Sequence, residues 1–383
     1  NANKKYFFDK VPTWNNFMEH SNYDSFWKEK EVTHYLEDIS VPALNVAGWW
    51  DAEDFYGPMK IYEKLEENDQ SNINNLVVGP WRHGGWARGK GDSLWAIGFG
   101  SNTSKYYRSK IQAPWFFHHL KGNNSQNFPE AHVFITGLNQ WKSFKTWPPL
   151  SETKPTNFYF RPDNSITMNL SVDKEGTESL SYVSDPNNPV PYSKRPIKGF
   201  WQGAQAMWKV EDQRFLDNRE DVLTWMTKPL EEGIEIAGEI ILNLFASTTG
   251  TDADWIVKLI DVYPEDSSDL IMANYQLMIA DEVIRSKFKD SFSEPKPLVP
   301  DEINHFKISL GTRAHKFKKG HRIMVKIHST WFPLIDRNPQ NFINIPTATK
   351  NDYAVATQSI FLSKSKATYI ELPVIQKKEN NDE

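Results

Sequence analysis

The periodicity of apolar residues changes once along this chain, near Gly122, and that change limits the fold more than any other feature. Before it, PALNVAGWW (42–50) and NNLVVGPW (74–81) are nearly unbroken apolar runs of strand length, and EDFYGPMKIYEKLEEN between them spaces its apolar residues near helical period. Strand, helix, strand with continuous apolar strands predicts a parallel sheet covered on both faces and joined by a right-handed crossover. KYYRSKIQAPWFFHHLK (105–121) reads as a further helix, interrupted or restarted at Pro114 and ended by Gly122. Upstream, YDSFWKEKEVTHYLEDI reads as an amphipathic helix or helix pair leading up to Pro42.

From HVFITG onward the texture is different. Short alternating runs (TNFYFRP, IEIAGEIILNLFAS, DADWIVKLIDVYP, HFKISLG, HRIMVKIHS, ATYIELPVI) are separated by Gly, Pro, Asn and Asp, and helical spacing nearly disappears. That pattern predicts an antiparallel β domain, a sandwich or jelly roll. The expected division is 39–122 for the α/β part, 123–130 for a linker, 131–375 for the β domain and 376–383 for a frayed tail. Two domains are also what 383 residues predict, because a single core seldom grows that large.

Charge and composition narrow the partners. A net charge of −5 with no long basic run argues against nucleic acid, and no apolar stretch approaches the roughly 18 residues that cross a bilayer. Small molecules are the expected partners. The absence of cysteine removes disulfides, thiolate nucleophiles and cysteine metal sites, and leaves the compartment open. No signal peptide is visible at the start; there is no initiator methionine, and NA before NKKYFF reads as a cloning scar, so the chain is expected to be a fragment.

In open α/β sheets, function collects beyond the carboxyl ends of the strands. Asp51 ends the first apolar run, and His83 follows the second in GPWRHGGW. If the two strands are neighbours, a carboxylate and an imidazole meet at one sheet edge, the pairing that orients a general base. Where such a pair serves an α/β-hydrolase, the serine precedes both in the chain. No G-x-S-x-G occurs, and there is no room for a nucleophile strand before residue 42. Asp51, Glu53 and Asp54 crowd three carboxylates into four positions, which calls for a nearby cation or for the favourable field at a helix start. Arg82 and Arg88 are alternative partners. His118 and His119 are adjacent on a helix and point apart, which suits packing rather than metal binding, and Asp252 with Asp254 suits a turn better than a calcium loop. Trp49, Trp50, Trp81 and Trp86 flank the proposed site, as pocket wall or as core.

PALNVAGWWDAEDFYG, NNLVVGPWRHGGW, APWFFHHLKG, VFITGLNQWKSFKTWPP, RFLDNREDVLTWMTKPL, ADWIVKLIDVYPED and STWFPLIDRNPQN together resemble, in this order, the α-amino-acid ester hydrolase group. That group sits with glutaryl-cephalosporin acylases, cocaine esterases and X-Pro dipeptidyl-peptidases in one serine hydrolase superfamily. The resemblance covers nearly the whole chain and implies the C-terminal part of an α/β-hydrolase domain followed by a β jelly-roll domain, with residues 1–38 as the remnant of a helical lid. It implies that Asp51 is the triad acid, that His83 is the general base, and that Glu53 and Asp54 grip the ammonium group of an α-amino-acyl ester or amide, β-lactam side chains included. Trp50 and Trp86 are expected to wall the substrate pocket. The serine and its oxyanion donors would lie before Asn1, so this chain is expected to be inactive alone. No metal or organic cofactor is implied, a homo-oligomer is open, and the resemblance tilts the compartment toward the periplasm or secretion. Competing expectations are an X-Pro dipeptidyl-peptidase or cocaine-esterase-like hydrolase, and a non-catalytic jelly-roll module that binds carbohydrate or peptide.

Overall fold

The computed structural model describes residues 3–37, 39–122, 127–170, 178–196 and 203–377. Two apolar runs become the strands β1 (Ala43–Gly48) and β2 (Asn74–Gly79), paired in parallel from Ala43 opposite Asn74 to Gly48 opposite Gly79. The helix Tyr56–Glu66 joins them and buries Met59, Tyr62 and Leu65, one face at three-residue spacing.

The helical run after the second strand is continuous through Pro114. Residues Thr103–Tyr106 are α, Tyr107–Gln112 widen into a π turn, and Ala113–Lys121 return to α with Pro114 in the first turn of that last piece. A π turn shifts the hydrogen-bond pattern, so the proline's missing N–H costs the helix little. Gly122 ends it at φ 65°, as a left-handed cap. The helix or helix pair expected over residues 23–39 is present as two short pieces, Ser25–Lys28 and a 3-10 turn at Val32–Tyr35. None of its residues is buried, and helical propensity without a packed face does not sustain a long helix.

One boundary moves. Ala131–Ile135 pairs in parallel with β2, and Gln140–Phe144 pairs antiparallel with that third strand, so residues 131–144 complete the first sheet. AHVFI is buried at every position but His132, close to the pattern of a parallel strand covered on both faces, although its short length resembles the alternating runs that follow it. Of the expected linker, residues 123–126 lie outside the described residues, as do 378–383 of the expected tail.

The β domain begins at Thr153. One sheet runs in the order Ile166–Thr167, Thr153–Phe160, Tyr369–Ile375, Ile234–Thr248, Ala356–Phe361, Ser179–Ser184, with Asn304–Phe317 also on the long 234–248 strand. The other has the order Leu223–Met226, Arg322–His328, Asp254–Val262, Gln276–Arg285. Every described ladder of these two sheets is antiparallel.

One apolar cluster runs from Ala47, Trp49, Leu76 and Phe134 in the first sheet to Trp225, Leu242 and Trp255 in the β domain. Polar ties cross the same junction. Trp50 donates its indole N–H to the carbonyl of Met278 at 3.0 Å. Thr136, just past the third strand, meets His315 Nδ1 at 2.7 Å and takes the backbone N–H of Lys316 on its own carbonyl at 2.8 Å. His315 and His321 in turn hold the two oxygens of Asp261 at 3.1 and 2.8 Å, all three side chains being buried.

Candidate active site

Asp51 and His83 leave the sheet at the same edge because Gly48 and Gly79 are register partners at the ends of neighbouring strands. Trp81 folds back across both glycines. A Cβ on Gly48 would stand 2.4 Å from the Trp81 carbonyl oxygen, and one on Gly79 would stand 2.5 Å from its indole ring, so neither position accepts a side chain without displacing Trp81. The Trp81 carbonyl also receives the N–H of Trp50 at 3.0 Å, and Gly79 receives that of Trp49 at 2.9 Å. These ties fix the start of the acid loop against the start of the histidine loop.

The two oxygens of Asp51 divide their tasks. Oδ1 accepts the backbone N–H groups of Glu53 and Asp54 at 2.9 and 3.0 Å, while Oδ2 meets His83 Nδ1 at 3.1 Å. The carboxylate is buried, and roughly half of the His83 side chain is exposed. With Nδ1 engaged by the acid, Nε2 is the nitrogen that faces outward, the arrangement a general base requires. Among the described residues no serine hydroxyl hydrogen-bonds His83.

Asp54 supplies a second oxygen 3.4 Å from His83 Nδ1, although most of its side chain is exposed. The helix begins at Tyr56 with no acidic residue in its first turn, so Glu53 and Asp54 belong to the loop held by Asp51 rather than to the helix start. Among the described residues no ion pair joins them to Arg82 or Arg88; the cation that answers the carboxylates is His83 when protonated. Partial desolvation pulls the His83 pKa down, but the charge and hydrogen bond of Asp51, followed by the charges of Glu53 and Asp54, outweigh it, and the net effect is a rise. We therefore expect the His83 ring to titrate above the ordinary imidazole value, and Glu53→Gln with Asp54→Asn to bring it down. NMR titration of the ring protons measures both; an unmoved midpoint in the double variant would mean that solvent screens these charges fully. The sign for stability follows: this interaction contributes below the ordinary imidazole pKa and is lost as pH rises through the raised one, and exposure keeps it small.

The histidine loop is braced by residues the sequence did not single out. Trp81 donates its indole N–H to Thr103 Oγ1 at 2.9 Å, Ser104 donates to the Gly85 carbonyl at 2.9 Å, and Arg108 donates to the carbonyls of Trp86 and Gly89 at 2.9 and 2.7 Å. Only their position on the first turns of the following helix could have suggested it. Behind the acid loop, Arg313 of the β domain lies 4.2 Å from the Phe55 ring centre, donates to the Ile279 carbonyl at 3.0 Å, and is pushed down to about 10 by burial.

The tryptophans part company. Trp86 is half-buried with its ring centre 6.5 Å from that of His83, beside the open side of the site. Trp50 is not placed as pocket wall. It is buried, stacked on Phe99 at 6.0 Å and bonded to Met278, because its ring points into the junction with the β domain. His119 packs on Trp115 at 4.5 Å and His118 on Phe128 at 5.6 Å. Asp254 is held by Arg285 and Asn338, and Asp252 accepts the N–H groups of Ala253 and Lys287, which is turn and strand-end chemistry. Among the described residues no group of three His, Asp or Glu is placed to hold a metal ion, and no helix is long and apolar enough to cross a membrane.

Comparison with known proteins bears on this geometry. Residues 122–370 match the family model of the X-Pro dipeptidyl-peptidase C-terminal non-catalytic domain, and residues 3–85, which hold Asp51 and His83, match that of X-Pro dipeptidyl-peptidase of the S15 family. A cocaine esterase from Rhodococcus sp. (strain MB1 Bresler) is 27% identical over 369 residues, which are 94% of this chain and 61% of the esterase. Among solved structures, an aminopeptidase from a marine sediment Thaumarchaeota archaeon superposes with a TM-score of 0.92 at 36% identity, over 96% of this chain and 61% of that one. An α-amino acid ester hydrolase does so with a TM-score of 0.92 at 36% identity, over 97% and 62%. The chain thus spans about three fifths of the length of these relatives.

Proposed function

Since the chain belongs to the cocaine-esterase and X-Pro dipeptidyl-peptidase superfamily, which includes serine hydrolases, we propose that Asp51 and His83 are the acid and general base of an acyl-transfer site whose serine comes from outside these residues. The observation that carries this reading is the buried Asp51 oxygen 3.1 Å from Nδ1 of the half-exposed His83, which leaves Nε2 as the nitrogen not engaged by the acid. His83 Nε2 takes the serine proton as the serine oxygen attacks the ester or amide carbonyl. The proton then passes to the departing oxygen or nitrogen, and water, deprotonated by the same nitrogen, releases the acyl group as the carboxylic acid. Asp51 keeps the Nδ1–H tautomer and stabilises the imidazolium.

The substrate we infer carries a free α-amino group. Glu53 and Asp54 are exposed beside the base, where an ammonium gains from both charges and an anionic acyl group such as glutaryl is repelled. An α-amino-acyl ester, a β-lactam with an amino-acyl side chain, and a peptide with a free N-terminus all meet this requirement. The S15 match over the acid and the histidine favours keeping the X-Pro dipeptide as the second reading.

The test separates these. The chain by itself should hydrolyse no ester above background, because a base and an acid without nucleophile and oxyanion donors lack the covalent route, and one such donor alone is worth about 10² to 10³ in rate. Joined to a serine-bearing segment like that of the relatives, it should turn over α-amino esters, and Glu53→Gln with Asp54→Asn should slow these while sparing des-amino esters. Equal losses on both esters would remove the ammonium reading. Turnover by the chain alone, free of contaminants, would show a nucleophile among its own residues, and X-Pro amides cleaved in preference to amino esters would select the peptidase.

A further inference from the structure

The tip of a small hairpin downstream of His83 has no place in the catalytic geometry above. Strands Ser93–Leu94 and Ile97–Gly98 are joined by Trp95 and Ala96, and Trp95 has φ 54° with 56% of its surface exposed. The first position of a two-residue hairpin turn with positive φ belongs by preference to glycine, and a bulky aromatic residue there is an outlier. With more than half of its surface exposed, the ring contributes little to folding. The root of the hairpin is firmly set: Leu94 and Ile97 are buried, and Phe99 stacks on Trp50. A fixed root with an exposed indole held in an unfavourable backbone is an observation that points toward binding.

Trp95 faces a cleft of about 390 Å³ across the junction with the β domain, whose apolar walls are Met207, Phe215 and Tyr275. Most of the polar groups around it are paired; Lys194 and Glu211 also line it, and Glu211 accepts from the Ser193 hydroxyl at 2.7 Å. Arg214 is paired with Asp212 at 2.6 Å and bonded to the Ala273 carbonyl, Asp212 also accepts the N–H of Gln276, and Tyr275 donates its hydroxyl to the Val210 carbonyl. A cleft of this size with an exposed indole, a thioether wall and the Lys194 cation on its rim suits one flat ring.

We propose that this cleft is a subsite for an aromatic or heteroaromatic ring on the leaving-group side of the substrate, which rests on the hydrolase reading above. The side follows from the chemistry. Glu53 and Asp54 lie on the acid loop, where the amine of the acyl part would sit, whereas His83 must protonate the departing atom, and the hairpin follows the histidine loop and its 3-10 turn Gly85–Ala87 in the chain. Packed contacts link the two places: Asp51 adjoins Trp50, buried Trp50 stacks on Phe99 and bonds Met278, and Tyr275 directly precedes the strand Gln276–Arg285 that carries Met278.

Binding and turnover test this separately. In the chain as it stands, labelled with 5-fluorotryptophan, 2-naphthol should give a saturable shift of the resonance that disappears in Trp95→Phe, and cyclohexanol should not. Trp95→Leu should weaken naphthol binding about 3- to 10-fold, the range a lost aromatic pair accounts for; the remaining tryptophan resonances report that the variant is folded. No saturable shift, or affinity untouched in both Trp95→Leu and Met207→Ala, overturns the subsite. In the protein carrying the serine, Trp95→Leu should lower the preference for 2-naphthyl over methyl esters of the same amino acid by a similar factor. An unchanged preference overturns the leaving-group assignment with the hydrolase intact. If neither ester is turned over, the hydrolase reading fails and with it the leaving-group assignment, and the fluorine titration alone decides whether a ring subsite exists.

Discussion

Asp51→Asn, in a protein that also carries the serine, is expected to lower kcat about 10³- to 10⁴-fold without disturbing the fold. The reason is in the two oxygens of Asp51. Oδ1 accepts two backbone N–H groups, so the amide oxygen of asparagine must take that position, and the amide NH₂ is left facing His83 Nδ1. A donor there forces the imidazole to accept on Nδ1 and carry its proton on Nε2, the wrong tautomer for taking a proton from serine. His83→Ala should cost as much or more, and the double variant should be no slower than His83→Ala alone, because the two residues act as one unit. Single-turnover rates on an amino ester measure all three. A loss under tenfold in Asp51→Asn would mean that the pair orients nothing.

The largest expected effect on stability lies away from the site, at Asp261. Its carboxylate is buried and holds His315 at 3.1 Å and His321 at 2.8 Å, so Asp261→Ala strands two buried imidazoles at once. Removing one partner of a buried charged network costs about 3–5 kcal/mol, and chemical denaturation at neutral pH should show a loss of that order. Burial raises the pKa of Asp261, but the hydrogen bonds and charges of His315 and His321 outweigh it and the net direction is down. A depressed carboxylate contributes stability above its ordinary pKa and loses it as pH falls through the folded value. The wild-type chain should therefore lose stability on acidification more steeply than the variant. Parallel acid limbs would mean that other carboxylates govern it.

The meeting of Asp51 and His83 was legible in the sequence because both follow apolar runs that turn out to be register partners, and strand ends in a parallel sheet converge on one edge whatever the rest of the chain does. The role of Trp50 was not. Trp49 and Trp50 are consecutive, and which ring joins the junction is decided by Met278, 228 residues away, about which local pattern says nothing. Arg313 behind Phe55 is hidden for the same reason. The strand Ala131–Ile135 was assigned to the wrong sheet because a short apolar run after a textural change looks alike in either domain; its parallel pairing with the strand Asn74–Gly79 distinguishes it. Pro114 marked where the α-helix restarts after a π turn, and residues 23–39 suggested a helix or helix pair of which two short pieces without a buried face remain.

The ties from Trp50 to Met278 and from Thr136 to His315 bear on how such proteins exchange parts in evolution or in the laboratory. A crossover placed in the stretch between the two domains would swap a whole β domain cleanly by sequence, yet it would separate each of these donors from its acceptor. Met278 offers a backbone carbonyl, which any residue in that register provides, so the Trp50 tie survives recombination among relatives that keep the strand. The Thr136 tie ends on a histidine side chain that is also committed to Asp261, and a chimera inherits it only if all three arrive together. Productive chimeras should therefore cluster among parents that share this trio, with heritability following the seam rather than either domain.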